Sequence, residues 1–328
     1  MLNNRQTELL KLIVEAYIKE AKPVSSKSIC QKMRCSSATI RNEMGILEDR
    51  ELIEKTHTSS GRIPSQKGYR YYVDNIMKPK EMSGEDMLKL QTIFKNNALM
   101  LDDYIVRSME IISEMTNYTA IVLGQASKEN KISKVEVVPI SEQSLVALVI
   151  TDKGHVEHKD IYLNERVSAS DIKQTIDLIS KLIIGTPVDE VSQKLEFEIK
   201  PIIERYVHQH EVLYNAFYTA FSDITTSSVK MSGTKNILMQ PEFSDVDKIR
   251  GIISKLEDKD IVRSIEEKES GINIYIGTEN EFDDDVTIIK TKYNVNGAEG
   301  TIALVGPKRM EYDRVISLLD YIKKNVEK

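Results

Sequence analysis

Pro23 is the residue that most restricts how this chain can begin. Proline has no backbone donor and disfavours a helical conformation in the residue before it, so the amphipathic run ahead of Lys22-Pro23-Val24 must stop near Ala21. Asn4 can cap that run as a helix, with Leu9, Leu10, Ile13, Ala16 and Tyr17 at i, i+3, i+4, i+7 spacing and Glu8, Lys11, Glu15 and Lys19 on the polar face. Beyond the break, Ser25 or Ser26 starts a short helix through Met33. After Arg34-Cys35, Ser36 or Ser37 caps a third helix reaching about Arg50.

The phase of the third helix separates its faces. At 100° per residue Ile40, Met44 and Leu47 lie within about 60° of one another and define the buried side. Ala38, Asn42 and Gly45 lie opposite, flanked by Thr39 and Arg41. Two small residues let that face approach a groove, and the amide and guanidinium suit bidentate contacts with adenine and guanine. A solvated helix face is the competing reading. Next, Leu52 to Lys55 reads as a strand, Thr56 to Gly61 as a small polar loop, and Arg62-Ile63-Pro64 as the returning strand. Helix, helix, helix, hairpin is the winged helix-turn-helix order. The wing tip of His57, Thr58, Ser59, Ser60 and Gly61 offers hydroxyls and amides to phosphates, and Arg62 offers a cation to a phosphate or a minor groove. Ser65 follows Pro64 as a helix cap, and Tyr69, Tyr72, Val73 and Met77 form one face, read as packing against the wing, with contacts to nucleic acid by Tyr69 or Tyr71 as the other reading.

Charge divides the chain in the same place. Residues 1–80 hold 15 basic and 9 acidic side chains, net +6, whereas residues 81–328 hold 30 and 42, net −12. A basic head on an acidic body points to nucleic acid at one end. Apolar stretches such as Ser144–Thr151 are far short of the roughly 18 residues of a membrane span, and charges interrupt the first apolar run, so the chain reads as cytoplasmic and without a membrane partner. Cys30 and Cys35 read as structural thiols.

In the body, a helical stretch from Ser83 to about Met115, interrupted near Asn96-Asn97, carries the stripes Met87, Leu90, Phe94 and Leu101, Ile105, Met109, Ile112. Short strands follow at Ala120–Leu123, Lys134–Val138, Leu145–Thr151 and His155–Tyr162, with Asp152-Lys153-Gly154 as a hairpin signal. Helices return at Ser168–Ile183, Val188–Phe221 and Ser244–Leu256. Strands resume at Ile272–Ile276, Val286–Lys292 and Thr301–Val305, with a turn at Asn296-Gly297, and a helix spans Met310–Val326. Strands, a long helical stretch, then strands again is the pattern of one sheet domain interrupted by another.

No phosphate loop, dinucleotide fingerprint or His-Glu-x-x-His string is present. The pairs His155/His158 and His208/His210 lack companions at metal-ligand spacing and read as surface residues. Glu281, Asp283, Asp284 and Asp285 lack the alternation of a calcium loop and read as a solvated turn. No catalytic residue, cofactor or metal is expected.

Three strings carry a resemblance: Val24-Ser25-Ser26; Ser36-Ser37-Ala38-Thr39-Ile40-Arg41-Asn42-Glu43-Met44; and His57-Thr58-Ser59-Ser60-Gly61-Arg62-Ile63-Pro64 with Gly68-Tyr69-Arg70-Tyr71-Tyr72-Val73-Asp74. They resemble the HrcA family of bacterial heat-inducible transcription repressors, as does Gly306-Pro307-Lys308-Arg309-Met310 with Tyr312, Arg314, Val315 and Ile316. The resemblance implies an α+β multidomain chain. It would hold a winged helix-turn-helix head at 1–80, connecting helices at 81–118, a GAF-like α/β domain at 119–184 and 266–328, and an inserted α-rich dimerisation domain at 185–265. It implies a nucleoid-associated homodimer on double-stranded DNA carrying the CIRCE inverted repeat, kept active by a GroEL-type chaperonin until unfolded protein titrates the chaperonin. Thr39, Arg41 and Asn42 would then read bases, with Ser36, Ser37, His57, Thr58, Ser59 and Arg62 on the backbone. The rivals are a small-molecule-responsive winged-helix regulator, a winged-helix enzyme of the biotin-protein-ligase kind, whose basic glycine-rich loop has no counterpart here, and a protein-interaction module.

Overall fold

The computed structural model describes residues 2–56, 61–78, 80–94, 101–124, 131–141, 143–152, 156–206, 210–226, 229–243, 245–295 and 298–327. The expectations at His57, Thr58, Ser59, Ser60, Asn96-Asn97, Lys153-Gly154, His155, His208 and Asn296-Gly297 lie outside the described residues. Contacts divide the chain into two compact units, residues 1–122, 231–295 and 301–328, and residues 123–230 with 296–300.

In the first unit, helix α1 (Asn4–Glu20) is capped by Asn3, one residue earlier than its sequence suggests. Gln6 decides this: its backbone N donates to Asn3 Oδ1 at 2.9 Å while its side chain accepts from Asn3 N at 3.1 Å, a reciprocal box that Asn4 cannot form. Leu9, Leu10, Ile13 and Val14 are fully buried, whereas Ala16 and Tyr17 are only partly so. Helices α2 (Ser26–Met33) and α3 (Ser37–Asp49) are capped by Ser25 and Ser36, with Arg34 in a left-handed conformation at the turn (φ 51°). Strands β1 (Ile53–Lys55) and β2 (Arg62–Pro64) pair antiparallel with Ile53 opposite Pro64. Val24 adds a third rung, since its N–H and C=O exchange bonds of 2.8 and 2.9 Å with Arg62. The segment after Pro23 therefore breaks a helix and also builds the base of the wing. Helix α4 (Gln66–Asn75), capped by Ser65, crosses that base at Gly68, where a Cβ would stand 1.9 Å from the Leu52 carbonyl oxygen.

The rest of this unit is built on a sheet. Helices α5 (Gly84–Phe94) and α6 (Leu101–Thr116) lead to β3 (Thr119–Leu123). The sheet order is β7 (Val229–Ser232), β3, β10 (Ala298–Pro307), β9 (Val286–Val295), β8 (Ile272–Ile276). Short helices α11 (Thr234–Leu238), α12 (Val246–Glu257) and α13 (Lys259–Arg263) follow β7, and α14 (Tyr312–Val326) closes the unit. One apolar cluster runs from Leu9 and Ile40 through Tyr69 and Tyr72 to Ile112, Tyr312, Leu319 and Val326. Helices α5 and α6, which lie between the head and β3, contribute to this core: Leu90, Ile93, Ile105, Met109 and Ile112 are buried, while Met87, expected in the stripe, is 38% exposed. Arg314 of α14 makes a two-pronged contact with the buried Asp86, Nε and Nη2 reaching its two oxygens at 3.1 and 3.0 Å. The acidic string after β8 is a turn with Glu281 and Asp284 exposed, as read, but Asp283 pairs with Lys255 at 2.7 Å and Asp285 with Lys248 at 2.5 Å and Lys308 at 3.4 Å.

The second unit has its own three-stranded antiparallel sheet, ordered β4 (Ile132–Ser141), β5 (Ser144–Thr151), β6 (Val156–Tyr162). Helix α7 (Ala169–Ile183) follows, then a helical run over 188–206 containing α8 (Val191–Lys194), wide turns at Leu195–Ile199 and α9 (Lys200–Tyr206), then α10 (His210–Thr226). Alternation in β5 sends Leu145, Ala147 and Val149 into a core with Ile179, Leu195 and Phe217. The other face, with Val146, Leu148 and Ile150 half-buried and Val138, Val156 and Tyr162 exposed, carries apolar side chains in the open. These boundaries depart from the insert read at 185–265. Strands β4–β6 have the same period-2 pattern as β3, which reads as one sheet, yet among the described residues they pair with each other and not with β3, and residues 231–265 cluster with the first unit. No helix among the described residues is long and apolar enough to cross a membrane.

Candidate nucleic-acid interface

The surface begins with two serine caps. Ser25 Oγ accepts from Ser28 N at 3.2 Å and Ser36 Oγ from Thr39 N at 3.1 Å, so one free donor at the start of each of α2 and α3 is satisfied and both helices begin where the turn needs them. Ser37 Oγ lies 2.9 Å from Ser26 Oγ and ties the helices together, while Ser36 Oγ also lies 2.9 Å from Thr39 Oγ1. Ile40, Met44 and Leu47 then anchor α3 in the core. Burying three such side chains contributes roughly 1.5–3 kcal/mol each and fixes the rotation of the helix. Ala38, Arg41 and Asn42 are exposed as the helical phase requires, Thr39 is half-exposed, and nothing stands within 4 Å of a Cβ placed at Gly45. Neither Arg41 nor Asn42 makes a hydrogen bond or ion pair with another described residue, so both head groups are available to an outside partner.

Arg62 is placed differently. Its side chain is 14% exposed, and Nε and Nη2 reach Glu48 Oε2 at 3.0 and 2.7 Å. Glu48 belongs to α3, so this guanidinium bolts the wing to the helix that carries Arg41. The pairing also changes the local field. Glu43 is held by Arg5 at 3.6 Å and Gln6 Nε2 at 3.1 Å, Glu48 by Lys55 and Arg62, and Glu51 by Lys67 at 2.9 Å, so three acids near the exposed face carry compensating cations. His57, Thr58 and Ser59 lie outside the described residues. Three cations not singled out from the sequence, Lys27, Lys32 and Arg34, are exposed on α2 and the turn after it. The signal was available: α2 is the first helix of the pair, and that helix crosses the phosphate backbone when the second enters the groove. Cys30 and Cys35 are free thiols that donate to the Ser26 and Met33 carbonyls, in keeping with a structural role.

Tyr69, read as a packing residue, is 2% exposed, and its ring meets that of Tyr312 with centroids 6.1 Å apart. Burial pushes its hydroxyl well above the ordinary tyrosine range. Tyr118, also buried and raised to about 12, accepts from Glu311 N at 3.1 Å at the start of α14. No cluster of metal ligands occurs among the described residues.

Comparison with known proteins agrees with this geometry. A family model described as the winged helix-turn-helix transcription repressor HrcA DNA-binding domain matches residues 1–76, and one described as the HrcA protein C-terminal domain matches residues 102–316. The heat-inducible transcription repressor HrcA of Bacillus pumilus (strain SAFR-032) is 38% identical over 333 residues, covering 99% of this chain and 97% of that protein. A crystal structure at 2.2 Å, described as a hypothetical protein, superposes with a TM-score of 0.67 at 25% identity, covering 100% of this chain and 98% of its own.

Proposed function

Because the chain belongs to the HrcA family of heat-inducible transcription repressors, it is a DNA-binding regulator and not an enzyme, and we propose that it acts as a homodimer whose two heads occupy the arms of a CIRCE-type inverted repeat. The observation that carries this reading is the pair Arg41 and Asn42, exposed and unpartnered on a helix whose opposite face is locked in the core. Thr39, Arg41 and Asn42 read base edges; Ser36 and Ser37 anchor the helix start, with Lys27 and Lys32 on phosphates. Two-fold symmetry of the protein matches a palindromic operator. The open apolar face of β4–β6 favours the second unit as the dimer contact, since such a face is covered in stable assemblies. In this reading the sheet of the first unit is the GAF-like domain. A GroEL-type chaperonin holds the repressor in its active form, and repression is relieved when unfolded protein occupies the chaperonin.

The test is footprinting of the full chain on an inverted repeat upstream of chaperone genes from the same genome. Protection of both arms is expected, strengthened by chaperonin and weakened when an unfolded client is added. Protection that ignores the repeat would overturn the operator assignment, and indifference to chaperonin would overturn the titration step. A cavity of about 780 Å³ lined by Glu15, Tyr72, Met82, Glu311 and Arg314 favours a second reading, a regulator answering to a small molecule. Thermal-shift screening of the full chain against metabolites separates the two.

A further inference from the structure

We infer that Arg70 is a positioning residue: with Gln66 it clamps the DNA-reading head to the Gly277 turn of the sheet domain, and so sets the separation at which the two heads of a dimer meet their half-sites. The inference rests on the dimeric operator reading above.

Arg70 commits two of its three guanidinium nitrogens to this joint and the third to its own helix. Nε donates to Glu279 Oε1 at 3.0 Å, Nη2 to Glu279 Oε2 and, at 2.5 Å, to the Ile274 carbonyl, and Nη1 to Asp74 at 3.2 Å. A planar fork can do this and a lysine cannot. Glu279 is aimed in advance, because its Oε2 also accepts from Ile276 N at 2.8 Å. One helical turn earlier, the Gln66 amide makes a reciprocal pair with Thr278, Nε2 donating to Oγ1 at 2.8 Å and Oε1 accepting from N at 3.2 Å.

Gly277 shows how close the approach is. Its φ is +55°, and a Cβ there would stand 2.3 Å from Gln66 Oε1 and 2.9 Å from the Asp284 carbonyl, so the turn is shaped to receive the head. The far side of the same turn is fixed by the pairs Asp283–Lys255 and Asp285–Lys248. From there a short rigid path leads back to the reading helix: α4 follows β2 after the single residue Ser65, and Arg62 of β2 grips Glu48 of α3.

The clamp does not hold the core together, because Arg70 and Glu279 are about one-third exposed while Tyr69 and Tyr312 bury the apolar joint beside them. Nor does it cover the reading face, since Arg41 and Asn42 stay exposed with the clamp closed. What it fixes is the angle of the head.

The test compares the full chain with Arg70→Gln and with the charge swap Arg70→Glu/Glu279→Arg. The probes are the footprinted inverted repeat, the same repeat with its spacer changed by one or two base pairs, and a duplex holding one half-site. Arg70→Gln is expected to keep half-site affinity, to lose about fivefold on the native spacing, and to discriminate less against altered spacers; the swap restores the profile. An unchanged spacing profile, or an equal loss on the half-site, overturns the inference. Wild type binding none of the duplexes would instead sink the operator reading. Amide exchange without DNA keeps the clamp testable in that event, with faster exchange expected at 66–75 and 274–279 in Arg70→Gln and no change counting against it.

Discussion

Gly68→Ala should destabilise the protein although it replaces glycine by the best helix former inside a helix. At an open helical site the change stabilises by about 0.5–1 kcal/mol. At position 68 the new Cβ would stand 1.9 Å from the Leu52 carbonyl oxygen and 3.0 Å from its carbon, where real Cβ contacts stay beyond 3.0 Å. Both partners are backbone, so no rotamer relieves the clash, and α4 must lift from the wing base by about 1 Å. That movement also strains the Ser65 N to Leu52 O bond of 3.2 Å. Overpacking at about 1–3 kcal/mol and a weakened hydrogen bond at about 1 kcal/mol, less the propensity gain, leave a net loss of roughly 1–3 kcal/mol. Gly251→Ala in α12 is the control, because nothing lies within 4 Å of its Cβ position, and it should stabilise by up to about 1 kcal/mol. Thermal unfolding of the full chain followed by circular dichroism measures both, at about 2–4 °C per kcal/mol for a unit of this size. The reasoning fails if the two substitutions shift the midpoint in the same direction.

Arg41→Ala should cost about 1–3 kcal/mol on the operator and erase the preference over scrambled DNA in gel-shift titrations; unchanged selectivity would refute the assignment of α3. Arg62→Ala and Glu48→Ala should each weaken operator binding and be non-additive by about 1 kcal/mol in a double-mutant cycle, with the salt slope unchanged. A slope lower by about 0.9 would put Arg62 on a phosphate after all. Burial pushes the Asp86 carboxyl up, but the hydrogen bond and charge of Arg314 overcome this and hold it below its ordinary value of 3.8. Its stabilisation is therefore complete above about pH 4 and lost as pH falls through the depressed folded value, so Asp86→Asn should flatten the acid limb of the unfolding midpoint below pH 4. Tyr162→Glu, placing a charge on the open face of β4–β6, should shift the protein toward monomer in sedimentation velocity without lowering its melting midpoint.

Local rules carried the head a long way. Pro23, the serine caps and the phase of Ile40, Met44 and Leu47 each act over a few residues, and the structure places α1–α3 and the wing strands within a residue or two of their predicted positions. The cap at Asn3 and not Asn4 depends on the reciprocal bonds with the glutamine three residues on, which the apolar stripe alone does not specify. What could not be read locally was partnership. The pattern of β4–β6 is the same whether the strands join the large sheet or form their own, and Arg62 looks like a free cation until Glu48, fourteen residues earlier, is brought beside it. The roles of α6 and Arg70 depend on contacts with α14 and the Gly277 turn, which no window of sequence contains.

The shared core of head and sheet domain also dictates an order of events during synthesis. Arg70 and Glu279 are 209 residues apart, Asp86 and Arg314 are 228 apart, and Arg309 reaches the Ile18 carbonyl across 291. At 5–20 residues per second, a ribosome finishes α4 roughly 10–40 s before the Gly277 turn exists, and longer before Tyr312 arrives to cover Tyr69. For that interval the nascent head presents an uncovered aromatic face, as any unfinished chain does. The head of each new copy of this repressor therefore waits on the last turns of its own chain before its aromatic face is closed.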